Sequence, residues 1–143
     1  MAEDDSLGMQ RFTAAVGHRI QIIGDDYLVT NAALVQQAAQ DRACNAVLIK
    51  PNQAGTITET KAALEAGRRA GFGTIVSARS GETEDVTIVH LSTGWDAGQL
   101  KVGSFTRSER MAKWNEALRI EEALGNAARF AGRNALIHSA QRA

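Results

Sequence analysis

Four short runs rich in isoleucine and valine recur along the chain, at residues 19–24, 46–50, 73–77 and 98–102. Their starts lie roughly 25–28 residues apart, the length of one β-strand plus one helix and its turns. Helical stretches fill the gaps. Thr30 caps a run over residues 31–42, and Thr56 with Glu59 forms a capping box for a helix ending at Ala70 before Gly71. A third run covers residues 84–92 and closes at Gly94. The last, residues 108–124, carries Met111, Trp114, Leu118, Ile120 and Leu124 on a broad apolar face. Ser6 is placed to cap a short first helix ending at Gly17. Repeated β–α units predict parallel strands covered by helices, in an open doubly wound sheet or in part of a (β/α)8 barrel. Residues 1–125 hold the four units, and residues 126–143 read as a small, polar, partly ordered tail with a possible frayed helix.

The residues after each run carry the chemistry. The first run is followed by Asp25 and Asp26; the second ends in Lys50, before Pro51, Asn52 and Gln53. The third ends in Ser77, followed by Ala78, Arg79, Ser80 and Gly81; the fourth contains Lys101, before Gly103 and Ser104. In a parallel α/β sheet these strand ends share one edge, where such folds build their sites. Burial and a neighbouring cation favour the free amine of a lysine, the form a general base needs. A rim carboxylate offers Mg²⁺ an oxygen ligand. A guanidinium fork matches a phosphate, with a hydroxyl and backbone N–H groups to assist it. A second lysine holds a carboxylate as a point charge. Such a set suits proton abstraction next to the carboxylate of a small phosphorylated acid.

The segments IIGDDYLVTN (residues 22–31), LIKPNQAGTITET (48–60), VSARSGETED (76–85), GQLKVGSFTRSERMAKWN (98–115) and LRIEEALG (118–125) closely resemble the C-terminal part of enolase, in family order and spacing. The resemblance implies an α/β fold of four consecutive βα units, the C-terminal half of an enolase-type (β/α)8 TIM-like barrel. It implies a Mg²⁺-dependent lyase interconverting 2-phosphoglycerate and phosphoenolpyruvate in glycolysis. By the same resemblance Asp25 is a magnesium ligand, Lys50 is the catalytic base, and Arg79 and Ser80 bind the substrate phosphate. Lys101 contacts the substrate carboxylate, and Ser77 and Ala78 complete the substrate-binding set.

Two departures qualify this. The resemblance starts in mid-barrel, so the family's N-terminal domain, its general acid and two of its metal carboxylates have no counterpart here. MAEDD itself resembles mid-barrel sequence, which leaves open that Met1 is not a true start. Four strands alone leave open edges, so a homo-oligomer, or pairing with another enolase-type half, is expected. The isolated chain is expected to turn over little or no substrate. Second, Ala78 stands where the family has histidine. The alternative reading is a non-catalytic half-barrel, or a truncated paralogue that acts on or binds a related phospho- or phosphono-enolpyruvate.

The remaining features read as structural. Cys44 is the only cysteine, which excludes an internal disulfide and suits a reducing cytoplasm; the family's cell-surface occurrence is a second location. Formal net charge is zero, so nothing points to nucleic acid or an anionic membrane. The acidic N-terminus has no secretory signal pattern. Glu82, Glu84 and Asp85 read as acids at a helix N-terminus. Arg107, Arg110 and Lys113 read as a solvated or inter-element helix face, and His18, His90 and His138 show no metal spacing. Trp95 and Trp114 read as packing residues.

Overall fold

The computed structural model describes residues 2–137; His138 and the end of the polar tail lie outside them. Helix α1 (Ser6–Val16) precedes a two-residue strand β1 (Ile23–Gly24). Then come α2 (Ala32–Gln40), β2 (Ala46–Ile49), the short helix α3 (Pro51–Ala54), α4 (Ile57–Arg69) and β3 (Gly73–Ser77). Helix α5 (Thr87–Gly94), β4 (Gln99–Lys101) and α6 (Ser108–Leu124) complete the units, followed by 3₁₀ turns at Gly125–Ala127 and Gly132–Ala135. The four strands form one sheet in the order β1-β2-β3-β4, with every neighbouring pair parallel. Consecutive parallel strands joined by helices are the wall of a barrel, and the βα reading of the sequence holds.

The two central strands are buried on both faces, as strands of parallel sheets are. Every residue of β2 and β3 is buried. Val47, Ile49 and Val76 face the helices and pack with Val35, Leu64 and Val89. Ala46, Leu48 and Ile75 form a second, smaller cluster. The sheet also curls. Gln21, just before β1, and Gln99 on β4 exchange side-chain hydrogen bonds of 2.9 Å across the width of the sheet. Gln99 further donates to the carbonyl of Ala135 at 2.9 Å, so the described part of the tail docks against the last strand.

Boundaries moved where local chemistry outweighed pattern. The first strand is shorter than residues 19–24, because the N–H groups of Arg19 and Ile20 turn back to the carbonyl of Val16. The Ile22 N–H goes to the Asn45 side chain. Asp5, not Ser6, caps α1 by accepting from the Gly8 N–H at 2.8 Å. Asn31, not Thr30, caps α2, accepting from Ala33 and Leu34. Thr30 has φ +54, outside the extended region that an N-cap adopts. Thr56 caps α4 as expected, accepting from the Glu59 N–H at 3.1 Å, and the Glu59 carboxylate reaches back to the Thr56 hydroxyl at 2.7 Å, where a full capping box would bond the Thr56 N–H. Helix α5 starts at Thr87, three residues beyond the predicted 84; Val86 is its N-cap, and Asp85, one residue earlier, accepts from the Thr87 N–H at 2.9 Å. That bond, with the Thr87 side chain and Lys113 behind it, holds the Asp85 carboxyl below the usual carboxylate range.

The broad apolar face expected of α6 is covered only in part: Ile120 packs against the core, and Met111 and Trp114 are half-buried. Leu118 and Leu124 are exposed, and the helix's one buried residue is Lys113. Trp114 stacks on Phe105, with ring centroids 5.0 Å apart, in keeping with a packing role.

Cys44 is buried in the main core, and burial pushes its thiol up to about 11. The folded chain therefore favours the neutral thiol, while the unfolded chain ionises near the ordinary value of 9.0. The cysteine's contribution is fully present below pH 9.0 and is lost as pH rises towards about 11. Over that window the loss approaches ~3 kcal/mol. Iodoacetamide should label Cys44 only at the rate of unfolding at pH 7–8, and Cys44→Ala should flatten the alkaline limb of a urea-denaturation profile.

Candidate functional site

The strand tips do meet. Asp25, Lys50, Ala78, Arg79, Ser80 and Lys101 line one open cleft of about 410 Å³ at the C-terminal edge of the sheet. Register explains why. Gly24 pairs with Val47, Ile49 with Val76, and Ser77 with Lys101, so each loop leaves the sheet at a similar height. The Ala78 N–H donates to the Lys101 carbonyl at 2.9 Å, which ties the third and fourth loops together.

Lys50 is 8% exposed and projects its ammonium towards Asp25, to which it donates a short hydrogen bond. Asp26 lies 3.9 Å from the same nitrogen. The ion-pair partners of Lys50 are thus carboxylates, while the cations Arg79 and Lys101 line the same cleft.

Thr30 fixes Lys50 from behind. Its hydroxyl accepts from the Lys50 N–H at 3.1 Å and donates to the Gln53 side chain at 2.7 Å. Val29 and Thr30 both have positive φ, at +43 and +54. Two such β-branched residues in succession are costly and persist only where the surroundings impose them. The turn is closed by Val29 and Leu28 N–H bonds to the Asp25 carbonyl and by the Asn31 N–H to Leu28. Pro51 begins α3 at a position where its missing N–H costs nothing. This helix was not predicted, although proline after a strand was the available signal.

Arg79 and Ser80 are exposed in the loop after β3. The Arg79 N–H is not free for an anion, because it donates to Glu82 at 2.9 Å. Only its guanidinium and the groups after it remain for that purpose. Ser77 is not brought into the cleft: it is 1% exposed and its hydroxyl donates to the Ala78 carbonyl at 2.7 Å.

Of the face read as solvated or inter-element, Arg110 and Lys113 make inter-element contacts. Arg110 lines the cleft and donates to Ser104 at 3.0 Å. Gly103 has φ +104 and lies against that guanidinium, where an added Cβ would meet it at 3.3 Å. Lys113 is fully buried, and its ammonium donates to the carbonyls of Thr83 and Glu109 at 2.8 and 2.9 Å. Glu82 is not a helix-terminal acid either, because α5 starts five residues later, at Thr87.

The described residues alone do not fit a magnesium ion. Mg²⁺ asks for near-octahedral oxygen ligands. Among the described residues no group of three or more acids, histidines or cysteines converges to hold a metal, and Asp25 is engaged by Lys50. No helix of the described residues is long and apolar enough to cross a membrane.

Thr30→Val should leave the Lys50 N–H unpaired and buried. It should lower unfolding free energy by about 1–3 kcal/mol in urea, while Thr30→Ser, which keeps the hydroxyl, should cost less than half of that.

Residues 1–139 match the family described as "Enolase, C-terminal TIM barrel domain". The chain is 52% identical over 128 residues to "Enolase" of Anaplasma marginale (strain St. Maries), covering 90% of this chain and 30% of the relative. It is 52% identical over 130 residues to "Enolase 1" of Methylococcus capsulatus (strain ATCC 33009 / NCIMB 11132 / Bath), covering 91% of this chain and 31% of the relative. The chain thus spans less than a third of these relatives' length. A four-stranded parallel wall, its polar strand tips gathered in one cleft, and half-identity to enolases along nearly all of its length place the chain in the enolase family, within the C-terminal TIM barrel domain.

Proposed function

We propose that this chain carries the base and phosphate-binding half of a phosphopyruvate hydratase site, a glycolytic carbon–oxygen lyase acting on a phosphorylated three-carbon acid. The observation that carries this reading is the convergence of Asp25, Lys50, Arg79, Ser80 and Lys101 on one cleft. In this reading the Arg79 guanidinium and Ser80 hydroxyl hold the phosphate of 2-phosphoglycerate, and Lys101 holds its carboxylate. In the same reading carbon two faces Lys50, whose amine takes the proton once it is released from Asp25. Asp25 would offer a magnesium ion at most one oxygen, and only if released from Lys50; the described residues do not supply the remaining ligands. The general acid that would expel the hydroxyl is likewise not among them. Electrostatic stabilisation of the developing charge is the largest contribution to such a reaction. The chain by itself should therefore bind ligand and turn over little. A cytoplasmic location accompanies this reading.

A second reading is favoured by Ala78, which lines the cleft as a methyl where an imidazole was expected. It casts the chain as a non-catalytic half-barrel, or as a paralogue handling a related phospho- or phosphono-enolpyruvate. In either reading the edges at β1 and β4 and exposed Ile20 and Ile23 favour self-association or pairing with another enolase-type half.

Titrating the purified chain with phosphoenolpyruvate should give saturable binding that Arg79→Ala weakens by about 1.5–3 kcal/mol, the range of a charge-assisted hydrogen bond. Binding untouched by Arg79→Ala and Lys101→Ala would remove the reading. Ala78→His should tighten phosphoenolpyruvate if the chain descends from a hydratase; no gain, with tighter binding of a phosphonate analogue to the unmodified chain, favours the second reading. With 2-phosphoglycerate and Mg²⁺, the purified chain free of host enolase should show no rise in phosphoenolpyruvate absorbance above buffer. Robust turnover would show that the chain needs no further half.

A further inference from the structure

Glu82 joins three parts of the site. One carboxylate oxygen, Oε1, accepts from the backbone N–H of Arg79 at 2.9 Å and from the side chain of Asn52 at 3.2 Å. The other, Oε2, lies 3.6 Å from the ammonium of Lys113. Asn52 follows the β2 tip by three residues and belongs to the helix that Lys50 leads into. Arg79 belongs to the loop after β3, and Lys113 to α6. The Glu82 side chain is 14% exposed and that of Lys113 is 0% exposed, so the pair is screened from water far more than a surface ion pair.

The chemistry of this contact is directional. A carboxylate that takes the Arg79 N–H folds residues 79–82 back on themselves and fixes the root of the Arg79 side chain. Gly81, at φ +76, makes the reversal possible. Lys113 has the two carbonyls of Thr83 and Glu109 besides Glu82, so its own burial does not require the carboxylate to reach Arg79. The bond to Arg79 is thus a separate feature from the burial of Lys113.

We propose that Glu82 is a positioning residue: it holds the loop of Arg79 and Ser80 in the shape that presents the guanidinium and hydroxyl to a phosphate. This rests on the reading that Arg79 and Ser80 bind an anion, and it adds a residue that does not itself touch one. Lys113 supports Glu82, and Asn52 couples the loop to the strand tip that carries Lys50.

The test uses the whole 143-residue chain, labelled with ¹⁵N and titrated with inorganic phosphate. The unmodified chain should show saturable shifts at the Arg79 side-chain Nε–H and the Ser80 amide, and slow hydrogen exchange at the Arg79 amide. Glu82→Ala should raise the apparent Kd about tenfold, the worth of one lost hydrogen bond, and speed exchange at Arg79. Glu82→Gln keeps an oxygen acceptor and should restore binding to within about twofold. Unchanged exchange at Val47 and Val76 confirms the fold in each variant. Where Glu82→Ala fails to fold, Glu82→Ala with Lys113→Met removes the stranded charge and is read in its place. The proposal is overturned if Glu82→Ala binds phosphate as the unmodified chain does, or if Glu82→Gln is as weak as Glu82→Ala. It also falls if the Arg79 amide of the unmodified chain exchanges like an open loop. No phosphate response at Arg79 or Ser80 in the unmodified chain would instead sink the anion-binding reading itself, and the positioning role with it.

Discussion

The parallel pairing of β2 with β3 is the contact on which the site depends. Four consecutive register pairs, Ala46 with Gly73 through Ile49 with Val76, set the relative height of the two central strands. Side chains alternate along a strand, so a slip of one residue would turn Leu48 and Ile75 from one face to the other. The same slip would move Lys50 away from the level of Arg79. Burial of both faces thus does two things with one set of residues: it stabilises the sheet and it levels the loops that carry the polar groups.

Loops at a common height still need their own shape, and here side chains do what the ladder cannot. Thr30 locks the backbone at Lys50, and Glu82 locks the backbone at Arg79. Both are polar side chains taking a backbone N–H that the sheet leaves unpaired. In the first case the loop accepts two residues at positive φ. In the second a fully buried lysine stands behind the carboxylate. The polar groups that ligand would meet are therefore held by polar groups it would not meet.

The fold was legible because its signal is repetition. Alternating apolar runs and capped helices survive errors of a residue or two, and β3 and α6 begin and end where the pattern puts them. The polar tips followed from the strands, since parallel strands share an edge. What escaped was set by single side-chain contacts between distant positions. Lys113 sits on a helix with charges on either side, and nothing local distinguishes it from Arg110 or Lys101; its burial depends on Thr83, thirty residues away. Glu82 resembled a helix-terminal acid, but the acid that bonds the first helical N–H, that of Thr87, is Asp85, three positions on. Asn31 and Thr30 are both good caps by type, and only the φ of Thr30 decides between them. Ser77 ends a strand like its neighbours, yet pleating turns its hydroxyl inward to the Ala78 carbonyl.

The contact between Lys50 and Asp25 constrains any chemistry in the cleft. Both were assigned separate roles from the sequence, one taking a proton and one offering an oxygen. In the structure each occupies the other. An ammonium that donates to a carboxylate has no lone pair with which to take a proton, and a carboxylate oxygen bound to an ammonium is a poor partner for a second cation. The two roles therefore become available together, when that contact opens, or not at all. Arg79 and Lys101 bring positive charge to the same cleft without a carboxylate partner among the described ion pairs. An anion entering there would meet two cations without carboxylate partners, next to a lysine that is held by Asp25. In the proposed reading, anion binding and proton transfer thus place different demands on this one edge of the sheet.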